Sequence, residues 1–378
     1  MHTSTPVDRT GRPEPAPVTR VAAAGKLHTL DAMRGVAAFA VAAFHAGILN
    51  NNPQSPYLAV DFFFVLSGFV IAQAYDARLA SGMAAKEFIG RRLLRLYPLF
   101  ALGLVLGLAV ALIEIAFGFG RSPLGVVALQ FICGLLFLPY PDLAPTALIV
   151  PLKGPYWSLI LEIQINIVFA AAFAWLSLRV VGAVAAACGL AIIGITYTLG
   201  TLETGFLMSD YLGGVARVGF SFSAGVLLSR LRHRITLPRI HWSILLVITA
   251  ALLLIPKPVE VRWLYDSVCV IVLFPLLILA GTQSEPSSPR LLRMFLLAGG
   301  ASYALYAIHT PILHFGHALG ELNPDMSYRL IMLPFLALAC AAAIAADLLY
   351  DRPVRKAIAD MIDRRRARHV SDSKLGPF

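Results

Sequence analysis

Between residues 27 and 355 the chain alternates long apolar runs with short polar connections. The apolar stretches fall near 35–49, 57–75, 96–119, 123–138, 156–178, 180–200, 211–229, 241–255, 264–281, 294–314 and 329–349. Most approach the roughly 20 residues that a helix needs to cross about 30 Å of hydrocarbon. The pattern predicts an all-α fold, a polytopic membrane helical bundle. Eleven spans would put the two ends on opposite sides, yet both ends are basic. The stretch 123–138 is short and bounded by Pro123 and Pro139. It reads as a re-entrant or interfacial segment, leaving about ten transmembrane helices and both termini cytoplasmic. The basic loops at 78–95, 179, 230–239 and 290–293 then all face the cytoplasm. Only Arg121, Lys153, Lys257, Arg262 and Arg329 fall to the other side or its edges.

Composition supports this class. Of 378 residues, 58% are hydrophobic and 14% charged, against about a quarter charged in ordinary soluble domains. The formal net charge of +10 resides in loops and tails, where topology and anionic lipid account for it without nucleic acid. Cys133, Cys188, Cys269 and Cys340 each stand alone in apolar runs, with no spacing for a disulfide or zinc site. Residues 1–26 are Pro-rich and basic, with no small-residue cleavage pattern, so they read as a disordered cytoplasmic tail and not a signal peptide. The expected organisation is this tail, a membrane domain over 27–355, and a basic cytoplasmic tail over 356–378.

An ionisable side chain inside a span costs a few kcal/mol or more, so each marks a candidate function. Arg34 and His45 are eleven residues apart, nearly three full turns, and share a helix face about 16 Å apart along the axis. Arg34 also has Asp31 within reach one turn earlier, and His45 also reads as an interfacial histidine. In "WSLILE", Ser158 and Glu162 are one turn apart and follow Trp157. By depth His45 is a candidate partner for Glu162; capping its own helix or pairing with Lys153 is the alternative. Ser302, Tyr306 and His309 lie at i, i+4 and i+7 on one face. His314 and His317 do not share that face, which speaks against a metal site. "VDFFFVLSGF" places Asp61 near the outer end of a span and Ser67 with Gly68 at its middle, where close helix packing is an adequate account. "RRLLRLYP" clusters Arg91, Arg92 and Arg95, equally suited to positive-inside anchoring and to gripping phosphate.

Six blocks in order, "LDAMRG" with the Arg34–His45 spacing, "VDFFFVLSGF", "RRLLRLYP", "YWSLILE", "ASYALYAIHTP" and "YDRPVRK", resemble the acyltransferase 3 family of integral-membrane O-acyltransferases. The resemblance covers about Leu30 to Arg355 and implies acyl transfer, acetyl in the first place, to a hydroxyl of a cell-envelope or secreted saccharide such as a lipopolysaccharide or exopolysaccharide. It further implies acyl-CoA as co-substrate with no resident cofactor or metal, an inner-membrane location, and polysaccharide biosynthesis proteins as partners. His45, Glu162 and Arg34 become the expected catalytic residues. Asp61, Ser67, Arg91, Arg92, Arg95, Trp157, Ser158, Ser302, Tyr306 and His309 become the expected donor- or substrate-binding set. In this scheme the arginines of "RRLLRLYP" hold the CoA phosphates and Arg34 guides the pantetheine or polarises the thioester. His45, oriented by Glu162, serves as general base or carries a transient acyl group. The chain departs from the family pattern at Ile163 and Asn166, where a second Glu and a Tyr are usual, and at Asp351-Arg352-Pro353, where Glu-x-Pro is usual. A proton-coupled transporter using the same histidines and Glu162 is the alternative from another class, but no internal repeat supports it.

Overall fold

A computed structural model describes residues 27–49, 54–120, 122–142, 144 and 147–374; the N-terminal segment 1–26 lies outside them. Among the described residues the chain is helical, without strands. The helices are α1 (His28–His45), α2 (Ala59–Ala80), α3 (Ala85–Ala116), α4 (Leu124–Leu135), α5 (Trp157–Ala172), α6 (Leu178–Leu199), α7 (Tyr211–Leu231) and α8 (Trp242–Leu254). They continue as α9 (Arg262–Val268), α10 (Phe274–Gly281), α11 (Pro289–Leu322), α12 (Tyr328–Ala345) and α13 (Arg352–Lys374). A π-helical turn, Cys269–Leu273, joins α9 to α10, and another, Ala346–Asp351, joins α12 to α13.

Eight helical stretches among these residues are long and apolar enough to cross a membrane. They are Pro56–Ala80, Ala85–Ala116, Gly154–Trp175, Leu178–Leu199, Met208–Leu231, Val259–Gly281, Pro289–Leu322 and Tyr328–Ile362. The protein is a polytopic helical membrane bundle. The basic stretch 78–95 is mostly helical and not a loop: α2 runs to Ala80, and α3 runs unbroken from Ala85 through Pro98. Helix α13 likewise runs through the expected domain boundary at 355. Helix α4, with 12 residues, rises only about 18 Å and is too short to cross unaided.

Helix α1 is largely enclosed. It has 18 residues, and Met33, Ala37, Ala40 and Ala42 are completely buried. Because protein covers it on most sides, its small side chains are selected for close packing and not for contact with lipid. Its main neighbour is α11, and α2 packs along α7. The second crossing is set by glycine: a methyl group at Gly68 would overlap the Phe222 carbonyl, and one at Gly225 the Val65 carbonyl. The end of α1 at His45 meets the starts of α2 and α5, the first half of α7 and the second half of α11. These junctions build two cavities.

Candidate active site

The first cavity, about 150 Å³, is formed by α1, α2, α3, α5 and α11. Its polar wall carries Arg34, Ser67, Arg92, Arg95, Ser158, Glu162, Ser302 and Tyr306. Eight of the thirteen expected site residues therefore meet here, brought together from five helices. Glu162 Oε1 accepts from Arg92 Nη2 at 3.1 Å and from Ser67 Oγ at 3.0 Å. Arg34 Nη1 lies 3.5 Å from Asp31 Oδ1, so the one-turn pairing forms while the guanidinium still faces the cavity. Arg95 forms no ion pair among the described residues, and the charges within its electrostatic reach are three guanidiniums, Arg34, Arg92 and Arg355, and one carboxylate, Asp351. A partly buried guanidinium in such company is suited to an anionic ligand.

The second cavity, about 280 Å³, holds His45 and Trp157, with Phe44, Tyr57, Glu203, Thr204, Phe206 and Arg217 among its walls. Val60 and Tyr306 line both cavities. The Tyr306 hydroxyl donates to the Pro155 carbonyl and lies 2.6 Å from Ser158 Oγ. These bonds pin the ring across the partition. The two ionisable groups eleven residues apart on α1 thus face different chambers, Arg34 the first and His45 the second.

The histidine protons follow from the acceptors. His309, completely buried, has Nδ1 2.8 Å from the Leu305 carbonyl; His45 has Nδ1 3.0 Å from the Val41 carbonyl. A carbonyl only accepts, so the hydrogen-bond network assigns the proton to Nδ1 in both neutral rings. His309 Nε2 then presents a lone pair 3.2 Å from His45 Nδ1, so the one Nδ1–H of His45 is shared between the Val41 carbonyl and this nitrogen. This leaves Nε2 as the basic nitrogen of His45. The His45 carbonyl also accepts from His317 Nε2 at 2.9 Å, and Tyr328 hydrogen-bonds the far nitrogen of His317.

Three sequence expectations change. Glu162 does not pair with His45: its partners are Arg92 and Ser67, because Glu162 points into the first cavity while Trp157, at the start of the same helix, faces the second. The group that orients His45 is His309. Asp61 lines neither cavity; it is fully buried against Arg217, with Nη2 to Oδ2 at 2.6 Å. Arg91 is on the outer face of α3, paired with Glu87 one turn away at 2.9 Å. It is half exposed and absent from the cavity wall.

Sequence reasoning passed over Arg217 and Asp266. Both are ionisable residues within apolar runs, so the cost argument that singled out Glu162 applies equally to them. Asp266 Oδ2 accepts from the Tyr57 hydroxyl at 2.7 Å and from the Leu202 amide at 2.8 Å. Arg262 links Tyr57 to Glu203, with bonds of 2.9 and 3.0 Å. The chain Asp266–Tyr57–Arg262–Glu203 fixes one wall of the second cavity. No group of three or more His, Cys, Asp or Glu side chains among the described residues is placed to hold a metal ion.

Comparison with known proteins gives the family. Over 152 residues the chain is 39% identical to "Protein 2 in picA locus" of Rhizobium radiobacter, a match covering 37% of this chain and 79% of that protein. No solved structure matches. A family model described as "Acyltransferase domain" matches residues 27–350, a range that takes in both cavities and the His45–His309 pair, and the chain therefore belongs to the acyltransferase 3 family and is an acyltransferase.

Proposed function

We propose that the protein takes an acyl group, acetyl in the first place, from cytoplasmic acyl-CoA and delivers it to a hydroxyl of a cell-envelope or secreted saccharide across the inner membrane. The observation that carries this reading is the pair of cavities with a common wall at Val60 and Tyr306. One chamber is rich in arginine, and the other contains an oriented imidazole. Taking α1 and α8 as spans beside the eight long helices gives ten and puts both termini in the cytoplasm; the first chamber then faces the donor side and the second the acceptor side. Arg95, with Arg92 and Arg34, binds the donor's phosphates or pantetheine, and the thioester reaches the wall beside Tyr306. His45 Nε2 takes the acceptor proton, while His309 accepts from Nδ1–H and stabilises the imidazolium that forms. Phe44, Tyr57, Trp157 and Phe206 supply the aromatic surface that sugar rings use. Membership in an acyltransferase family sets aside the transporter alternative.

The test is the ester content of the host's surface glycans, by mass spectrometry, in a deletion strain complemented with wild type or with His45→Ala. Wild type restores an ester and His45→Ala does not, since removal of a general base costs roughly 10²- to 10⁴-fold. Equal ester from both genes would refute the role of His45. No ester from either would remove the envelope saccharide as acceptor.

A further inference from the structure

Arg217 is 1% exposed, the largest side chain fully enclosed in the bundle, and it still contributes to the wall of the second cavity. A guanidinium has five N–H donors. Here Nε donates to Asp61, and Nη2 donates to Asp61 and to the Tyr57 carbonyl at 2.9 Å. Nη1 donates to the Thr204 carbonyl at 2.6 Å. That uses four donors and leaves one N–H on Nη1 with no acceptor among the described residues. The fork is immobile, with Asp61 completely buried on one side and the Trp157 ring 5.1 Å from Cζ on another.

A buried ion pair is weak evidence for stability, because an apolar pair of similar volume often serves as well. A fixed, charged N–H beside a reacting carbonyl has a different consequence: it meets negative charge that appears only in the transition state, with no reorganisation. We infer that Arg217 is a catalytic residue, its spare Nη1–H stabilising the oxyanion formed as the acceptor hydroxyl adds to the acyl carbon in the His45 cavity. The inference rests on the acyl-transfer reading above. In the step, the acceptor oxygen bonds to the acyl carbon, its proton passes to His45 Nε2, and the carbonyl oxygen takes the negative charge. Collapse restores the carbonyl and breaks the carbon–sulfur bond, and the thiolate recovers the proton from His45. Asp61 positions the guanidinium and does not touch the substrate.

The experiment measures transfer from labelled acetyl-CoA to the envelope glycan fraction of the deletion strain, using wild type, His45→Ala, Asp61→Asn/Arg217→Gln and Arg217→Lys. Acetyl-CoA binding and detergent melting are recorded for each. The double variant removes both charges together and so leaves none buried alone. It is expected to melt and bind acetyl-CoA as wild type does while kcat falls about 10²- to 10³-fold, the usual loss for one oxyanion donor. Arg217→Lys keeps the cation on Asp61 but lacks the fork. Its three donors are consumed by Asp61 and the two carbonyls, so it too loses kcat with an unchanged KM for acetyl-CoA. A folded variant of either kind with wild-type kcat overturns the role of Arg217, and the lysine variant decides the matter if the double variant does not fold. Absence of transfer by wild type itself would instead refute the acyl-transfer reading.

Discussion

Glu162 shows at the scale of one residue how far depth alone misleads. Both Glu162 and His45 sit well inside the bundle, yet one oxygen of Glu162 serves Arg92 and Ser67, and His45 leans on a second histidine. The two arrangements differ in what a neutral substitution does. In Glu162→Gln an oxygen remains for Ser67, but the counter-charge that holds Arg92 is gone. A charge-assisted hydrogen bond contributes roughly 1.5–3 kcal/mol, so under the proposed function the KM for acetyl-CoA rises by roughly 10- to 100-fold. The acid limb of the pH–rate profile, which the proposed function assigns to His45, stays as in wild type. Steady-state kinetics at several pH values checks this, and an acid limb displaced in Glu162→Gln would return the carboxylate to the histidine.

The same argument extends to whole helices, whose crossings fix where those side chains arrive. Ser67 sits next to Gly68, where α2 lies backbone-to-backbone on α7, a contact matched at Gly225. Gly225→Ala forces a methyl against the Val65 carbonyl, and overpacking of this kind costs about 1–3 kcal/mol. The expected result is a lower melting temperature in detergent and a loss of transfer. Gly182→Ala on α6, where a methyl meets nothing, leaves melting unchanged or slightly raised, as replacing a helical glycine usually does. Unaltered melting of Gly225→Ala would contradict the α2–α7 crossing.

For the molecule as a whole, the decisive quantity is which end of the bundle faces the cytoplasm. Helix α8, with 13 residues, is nearly as short as α4, so length does not separate the helix counted as a span from the one counted as re-entrant. Loop accessibility does. In a background without the four native cysteines, Ser287→Cys between α10 and α11 should react with an impermeant maleimide only after the membrane is opened. Asp325→Cys between α11 and α12 should react in intact cells. The reverse pattern would place the arginine cavity outside and remove its access to cytoplasmic acyl-CoA.

Hydropathy and charge by themselves determined that this is a helical membrane bundle, because hydrocarbon forces every spanning segment to satisfy its own backbone and leaves a long apolar signature. The cost of burying charge likewise exposed Arg34, His45 and Glu162 as functional candidates, clustering exposed the arginines of α3, and the order of six blocks identified the family. Partnership was decided by the tertiary structure alone. Which of several buried charges meet depends on helix rotation and crossing, set by contacts such as Gly68 on Phe222 that no local pattern encodes. For that reason Asp61 belonged with Arg217, 156 residues away, Glu162 with Arg92, and His45 with His309. The division of one apparent site into two chambers at Tyr306 came from the same cause, since a single ring pinned by Ser158 and Pro155 separates residues that a shared helix face had seemed to unite.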